Sequence, residues 1–81
     1  MFTAKVYLRT QSRGTLLSNT EITSATQLEL EAAAEHWAQQ TLHDLGYRSI
    51  PYAEGYWLRH GTLKHYDWGT IVLTLELMEE T

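Results

Sequence analysis

Alternation of apolar and polar residues predicts a β-strand near each end of the chain. In FTAKVYLR (residues 2–9) every second residue is apolar, and GTIVLTLELM (residues 69–78) alternates in the same way, with Ile71, Leu73, Leu75 and Leu77 on one side. This period of two is typical of a strand with one buried and one solvated face. The solvated faces are expected to carry Lys5, Tyr7, Arg9, Val72, Glu76 and Met78.

Two further extended segments are predicted. TLLSNTEIT (residues 15–23) is a weaker strand candidate that follows a turn containing Gly14 and places Leu16 and Ile22 on the same side, so we expect an antiparallel hairpin with the first strand. YRSIPYAEGYWLRH (residues 47–60) is extended but interrupted at Pro51, with the stronger strand beginning near Ala53. The segment GTLKHYDWG (residues 61–69) would then be the loop of a second hairpin, joining this run to the last strand.

Between the two hairpins the pattern changes to a helical period. Apolar and small residues recur at spacings of three, four and seven: Leu30, Ala34, Trp37, Ala38, Thr41 and Leu45. Ser24 with Gln27, or Thr26 with Glu29, provides a capping box, and Gly46 stands at the position of a C-terminal cap. The sequence therefore predicts a helix over roughly residues 25–45, about 30 Å long. Its outer face would carry Glu31, Glu35, Gln39 and His43.

The order of elements is ββαββ, which predicts an α+β fold with a four-stranded antiparallel sheet and one helix packed on one face. The chain has 81 residues, so we expect residues 1–81 to form a single domain. One helix covers one face of such a sheet. The other face is left to solvent or to a partner.

Composition and charge narrow the classes of function. The chain has no cysteine and no apolar run near the roughly 20 residues of a membrane span, which favours a soluble, cytoplasmic protein without a membrane partner. Ten acidic against six basic residues give a formal charge of −4, which argues against direct nucleic-acid binding and favours a partner with a basic surface. Six of the acids are concentrated on the helix and near the C-terminus: Glu29, Glu31, Glu35, Glu76, Glu79 and Glu80.

No motif for catalysis or metal binding is present. The chain lacks GxSxG, a glycine-rich phosphate loop and a cysteine nucleophile, so we expect a non-enzymatic protein without a cofactor. His36 and His43 are seven residues apart, about two helical turns. A hairpin could bring His60, His65 and Asp67 around a zinc ion, but without HExxH or cysteine the favoured interpretation is solvated histidines, and no metal is predicted.

The segment YWLRHGTLKHYDWG (residues 56–69) combines four large aromatic residues with Arg59 and Lys64. Tyrosine, tryptophan and arginine are enriched at protein-binding hot spots, which favours a protein-binding module. We expect this module to be either a monomer or a homodimer. The alternative is a single-stranded nucleic-acid binder that stacks bases on the rings of Tyr56 to Gly69, although no RNA-binding signature is present. Trp37 and one of Trp57 or Trp68 are expected to fill the core. The predicted protein-binding residues are Glu31, Glu35, Tyr56, Arg59, Lys64, His65, Tyr66, Trp68, Glu76 and Glu79.

The layout resembles the small phage-encoded anti-CRISPR proteins. The likeness lies in the order of elements over most of the chain: two strands, an alanine-rich helix (SATQLELEAAAEHWAQQTL), then two strands and an acidic tail (ELMEET). It carries over no functional residue. The resemblance implies a stoichiometric inhibitor, without active site or cofactor, that binds a host Cas protein or a similar nucleic-acid-handling complex in the cytoplasm. Glu31, Glu35, Glu76, Glu79 and Glu80 would complement a basic surface, and a charge of −4 favours local occlusion over full DNA mimicry.

Overall fold

The computed structural model describes residues 1–47 and 54–78. Within them lie five strands and one α-helix: β1 (Phe2–Thr10), β2 (Leu16–Ser24), α1 (Gln27–Asp44), β3 (Tyr56–Leu58), β4 (Leu63–Asp67) and β5 (Ile71–Leu77). The strands form one antiparallel sheet in the order β2-β1-β5-β4-β3, and the helix packs against β2, β1 and β5. The α+β class and the single covering helix are confirmed.

The predicted count of four strands is one too few. Leu63–Asp67, expected to be part of a loop, is strand β4, and it pairs with both β3 and β5. The alternation in LKHYD is hidden because a lysine, Lys64, occupies a position that faces the helix. Glu31 of the helix neutralises its charge there. The observed order is therefore ββαβββ.

β1 and β2 form the antiparallel hairpin that their alternation predicts. Their register shifts at the step from Leu8 to Arg9, where β2 contains a bulge. Because of this shift, Leu16 pairs with Arg9 on the open face, whereas Ile22 pairs with Ala4 on the face toward the helix. The prediction that Leu16 and Ile22 lie on the same side is therefore wrong.

Both ends of α1 are fixed by local hydrogen bonds. Thr26 is the N-cap, and its hydroxyl accepts the N–H of Glu29 at 3.1 Å, as one of the two predicted capping boxes requires. At the other end Gly46 adopts a φ of 91°, and the Tyr47 N–H donates to the Leu42 carbonyl at 2.9 Å. This geometry, which a glycine adopts without strain, ends the helix at Asp44.

The core lies between α1 and the face of the sheet that it covers. Its buried apolar residues are Ala4, Val6, Leu8, Leu30, Ala34, Ala38, Leu42, Tyr66, Trp68, Ile71, Leu73 and Leu75. Trp37 packs against this core as well, so the predicted structural roles of Trp37 and Trp68 are confirmed. Leu45, predicted on the apolar face, is half exposed because α1 ends before it, and Leu42 occupies the buried position instead.

Some predicted features lie outside the described residues. They are the interruption at Pro51, the strand start near Ala53, and the acidic residues Glu79 and Glu80.

Candidate functional site

Alternate residues of the β3–β4 hairpin project to opposite faces of the sheet. The register pairs Tyr56 with His65, Trp57 with Lys64, and Leu58 with Leu63. Directly paired residues of an antiparallel ladder project to the same side. Lys64 and Tyr66 therefore face the helix together with Trp57, whereas the other two pairs lie on the open face of the sheet.

On the side toward the helix, Lys64 links the sheet to α1. Its Nζ forms a salt bridge with Glu31 Oε1, and the two side chains are only 15% and 14% exposed. The same Nζ lies 5.4 Å from the centroid of the Trp57 ring and 5.3 Å from that of Tyr66, within the range of cation–π attraction. Glu31 and Lys64, both predicted as binding residues, thus make a contact that holds the fold together.

A groove of about 300 Å³ lies beside this salt bridge, between α1 and the hairpin. Its lining residues are Leu28, Glu31, Ala32, Glu35, Glu54, Gly55, Lys64 and Tyr66. Lys64 neutralises Glu31, so Glu35 and Glu54 leave the groove with a net negative charge. A Cβ atom on Gly55 would lie only 2.6 Å from the Tyr66 ring, which explains the glycine at this position. The groove suits a cationic side chain better than an anion.

On the open face, the hairpin exposes a small apolar and aromatic surface. Tyr56 is 55% and Leu58 39% exposed, and half-buried Leu63 and His65 lie opposite them in the ladder. The Tyr56 and His65 rings are in tilted contact, with centroids 5.6 Å apart. We call Tyr56, Leu58, Leu63 and His65 the hairpin patch. Exposed apolar residues grouped in this way mark interaction sites more often than scattered ones do.

The turn between β3 and β4 is strained. Arg59 and His60 have φ values of 42° and 62°, and Gly61 follows at 77°. A left-handed conformation costs a residue with a side chain about 1–2 kcal/mol. The turn is held by Thr62, whose hydroxyl donates to the Arg59 carbonyl at 3.0 Å. Strain of this kind is concentrated at functional sites, and here it exposes Arg59 and His60 next to the hairpin patch.

On the remainder of the open face, acidic and basic side chains alternate across neighbouring strands. Lys5 lies between Glu21 on β2 and Glu76 on β5, and the Arg9 guanidinium stacks over the Tyr7 ring at 4.7 Å from its centroid. The register thus confirms that this face carries Lys5, Tyr7, Arg9, Val72 and Glu76, as predicted, whereas Met78 follows the end of β5. Among the residues that the structure describes, no continuous basic stripe crosses the face.

The predicted site residues separate into different places. Tyr56, Arg59 and His65 lie at the hairpin patch or its turn, and Glu76 pairs with Leu63 beside it. Glu35 lines the groove. Glu79 lies outside the described residues.

Two of the predicted protein-binding residues are buried in the core. Tyr66 is 1% and Trp68 9% exposed, so neither side chain is available to a binding partner. For Tyr66 the cause is strand alternation in β4, which directs it, like Lys64, toward the helix. The sequence reading missed Leu58 and Leu63, although Leu58 has the same parity as Tyr56 in YWL.

The predicted surroundings of His60, His65 and Asp67 can be compared with the described residues. Within residues 1–47 and 54–78, no group of three or more His, Asp, Glu or Cys side chains is arranged to hold a metal ion. Asp67 instead accepts the Gly69 N–H at 2.9 Å, and His65 contacts Tyr56. The described part of the chain also has no helix that is both long and apolar enough to span a membrane.

Comparisons of this chain with protein-family models, with curated proteins and with solved structures found no match.

Proposed function

We propose that this chain is a non-enzymatic protein-binding module that uses the hairpin patch and the adjoining Arg59–His60 turn. The observation that carries the proposal is the exposure of Tyr56 and Leu58 on a hairpin whose opposite side already serves the core. Neither residue contributes to the buried core, so the fold gives no reason for an aromatic and a large aliphatic residue there. Tyrosine and arginine beside aliphatic side chains are typical of interface hot spots.

The charge distribution favours a partner with a basic surface. The chain has a formal charge of −4, and the groove carries Glu35 and Glu54 in excess of its one lysine. Glu76 adds a further carboxylate directly beside Leu63 of the hairpin patch. Complementary charge of this kind steers association and fixes orientation, while the patch supplies buried apolar area.

The partner class that we propose is a Cas protein or a similar nucleic-acid-handling complex of a host cell, bound and blocked by this chain. The resemblance in layout to anti-CRISPR proteins supports this choice, as does the basic character of surfaces that bind nucleic acid. Because Lys5 and Arg9 interrupt the acidic residues of the open face, the chain is a poor imitation of a DNA backbone. Blocking by local occlusion is the mode that fits this surface.

Affinity capture from a nuclease-treated bacterial lysate, with matched variants as bait, tests the proposal. Wild type should retain a nucleic-acid-handling protein in stoichiometric amount, and the double variant Tyr56→Ala, Leu58→Ser should lose it. Leu45→Ser is the control, because Leu45 is 51% exposed but belongs neither to the hairpin patch nor to the lining of the groove. Absence of a stoichiometric partner, or equal retention by the double variant, would contradict the proposal.

The alternative function, single-strand nucleic-acid binding, has one supporting observation. The register aligns Tyr7, Thr74, His65 and Tyr56 in one row across the open face, with Arg9 stacked on Tyr7. Rows of rings on a sheet can stack successive bases. Anisotropy of labelled mixed-sequence oligonucleotides at low salt distinguishes the two functions. Salt-sensitive binding that Tyr7→Ala and Tyr56→Ala abolish would establish the alternative, and a flat titration would remove it.

A further inference from the structure

The two edges of the sheet differ in how well they are protected. At one edge β3 has only three residues, whereas at the other β2 has nine. Within the described residues no strand pairs with the outer side of β2. Proteins usually protect a long edge with lysine, proline or a bulge along its length. The sequence LLSNTEITS contains neither residue, and its bulge is confined to the beginning of the strand.

Hydrogen bonds identify which backbone groups the open edge presents. The Met78 N–H donates to the Thr3 carbonyl at 2.9 Å, so the odd-numbered residues of β1 direct their backbone groups toward β5. Successive residues of a strand direct these groups to opposite sides, so the even-numbered residues of β1 bond to β2. Even-numbered residues pair with even-numbered residues in this ladder. The β2 residues whose N–H and C=O groups point outward are therefore Asn19, Glu21 and Thr23.

Three partly buried apolar side chains that pack against the core lie toward this same edge. Leu17, Ile22 and Trp37 are partly buried and pack against the core. Leu17 and Ile22 belong to β2. At about 100° per residue, Trp37 lies on the flank of α1 opposite to Glu31. Since Glu31 reaches toward β4, the Trp37 flank lies on the β2 side. A strand added beside β2 would cover all three.

We propose that a second copy of this chain pairs with β2 along this edge, β2 antiparallel to β2, about a two-fold axis at Thr20. The two five-stranded sheets then join into one continuous sheet. Thr20 is the midpoint of Leu16–Ser24, so this register pairs the strands over their full length. A two-fold axis makes the contact isologous, which closes the assembly at two copies.

The charge pattern agrees with this register. Thr20 on the axis places Asn19 opposite Glu21 of the partner subunit, an amide against a carboxylate. Moving the axis to Glu21 would place two carboxylates directly opposite each other, which is destabilising. A two-fold axis at Ile22 avoids that repulsion but pairs only the second half of the strand. The Thr20 register alone combines full overlap with the absence of like charges in contact.

This dimer is independent of the proposed function and has a consequence for it. β3 is at the opposite end of the sheet from β2, so the two hairpin patches would lie at the two ends of the joined sheet. Two identical sites on one rigid assembly allow bivalent binding to a partner that is itself repeated.

Light scattering coupled to size exclusion, measured over a dilution series, tests the proposal. The wild-type chain should show the mass of a dimer that dissociates on dilution. Asn19→Glu should raise the dissociation constant about tenfold, because each copy contributes one new carboxylate pair. Asn19→Glu combined with Glu21→Asn should restore the wild-type value, since the swap again places an amide opposite a carboxylate.

Ser12→Glu is the matched control, because it adds the same charge in the exposed β1–β2 turn and should leave the dissociation constant unchanged. Circular dichroism and thermal unfolding of the dilute variants check that each still folds. A second variant, Glu21→Pro, removes an outward N–H without touching the ladder to β1 and should abolish the dimer. A wild-type monomer at millimolar concentration, or a dimer insensitive to Asn19→Glu or not restored by the swap, would overturn the proposal.

Discussion

The two sides of the β3–β4 hairpin serve different purposes although their residues alternate along the same short strands. On one side, Trp57, Lys64 and Tyr66 contact each other and the helix through a salt bridge and ring contacts. On the other side, Tyr56 and His65 contact each other and solvent. Adjacent residues of similar chemistry, such as Tyr56 and Trp57, thus receive opposite roles because a strand directs them to opposite faces. The residues on the helix side stabilise the fold, and we propose that those on the open side bind a partner.

The largest expected effect comes from removing the most buried ring of the hairpin. Tyr66→Ala should lower the free energy of unfolding by about 3–5 kcal/mol, because the ring is buried and its loss leaves a cavity. Tyr56→Ala, the same change on the open side, should cost less than about 1 kcal/mol. Urea denaturation of both variants measures the difference. Similar losses for the two tyrosines would contradict the claim that only the helix side of the hairpin stabilises the fold.

A smaller loss is expected from breaking the salt bridge. Lys64→Met leaves the Glu31 carboxylate in a largely buried place without its partner, which should cost about 2 kcal/mol. Adding Glu31→Leu should recover most of the loss, since both charges are then gone. Glu35→Gln in the same groove is the control, with a change below about 0.5 kcal/mol. A full double-mutant cycle by chemical denaturation gives the coupling energy, and a value near zero would contradict the structural role of the pair.

Gly55→Ala should lower the free energy of unfolding by roughly 1–2 kcal/mol, because the added methyl group crowds its neighbours. The added Cβ would lie 2.6 Å from the Tyr66 ring and 2.8 Å from Lys64 Cε, closer than contacts in a packed interior. The loss should shrink in a Tyr66→Leu background, where the ring is absent. An equal loss in both backgrounds would show that the ring is not the cause. Thermal unfolding of the four proteins is sufficient.

The smallest effect has the opposite sign. His60→Gly should raise the free energy of unfolding by about 0.5–1 kcal/mol, because glycine adopts the φ of 62° without strain. The same variant should retain less of the captured partner, since the His60 ring is gone from the exposed turn. His60→Ala keeps the strain and loses the ring, so it should bind weakly without the gain in stability. If His60→Gly is more stable than wild type and still captures the same amount of partner, the His60 ring does not contribute to binding.

Local patterns account for most of the fold. The strands β1 and β5, the helix and its Thr26 cap all follow from alternation, helical period and capping residues, which depend on neighbours a few positions away. Strand β4 does not, because its inward position Lys64 is polar and depends on Glu31, 33 residues earlier in the chain. The bulge that separates Leu16 from Ile22 also depends on pairing with β1 rather than on β2 alone.

The sequence predicts which segment carries the candidate site, but not which of its side chains are exposed. The aromatic content of residues 56–69 identifies this segment, but the predicted loop, residues 61–69, contains strand β4. Tyr56 and Arg59 are exposed in the β3–β4 hairpin, and His65 is half-buried. The burial of Tyr66 is not predictable from the sequence, because the parity of β4 cannot be set until that strand is recognised. Leu63 was missed for the same reason, whereas Leu58 is recognisable from its parity with Tyr56.

An alanine scan of β3 and β4 by chemical denaturation tests the central claim most directly. The loss in free energy of unfolding caused by each alanine substitution should alternate along each strand. Large losses are expected at Trp57, Lys64 and Tyr66, and small losses at Tyr56 and His65. Alternation is predicted because each strand directs successive side chains to the helix and to solvent in turn. Losses of equal size at neighbouring positions, or the larger losses at Tyr56 and His65, would contradict the division of the hairpin into a structural side and a binding side.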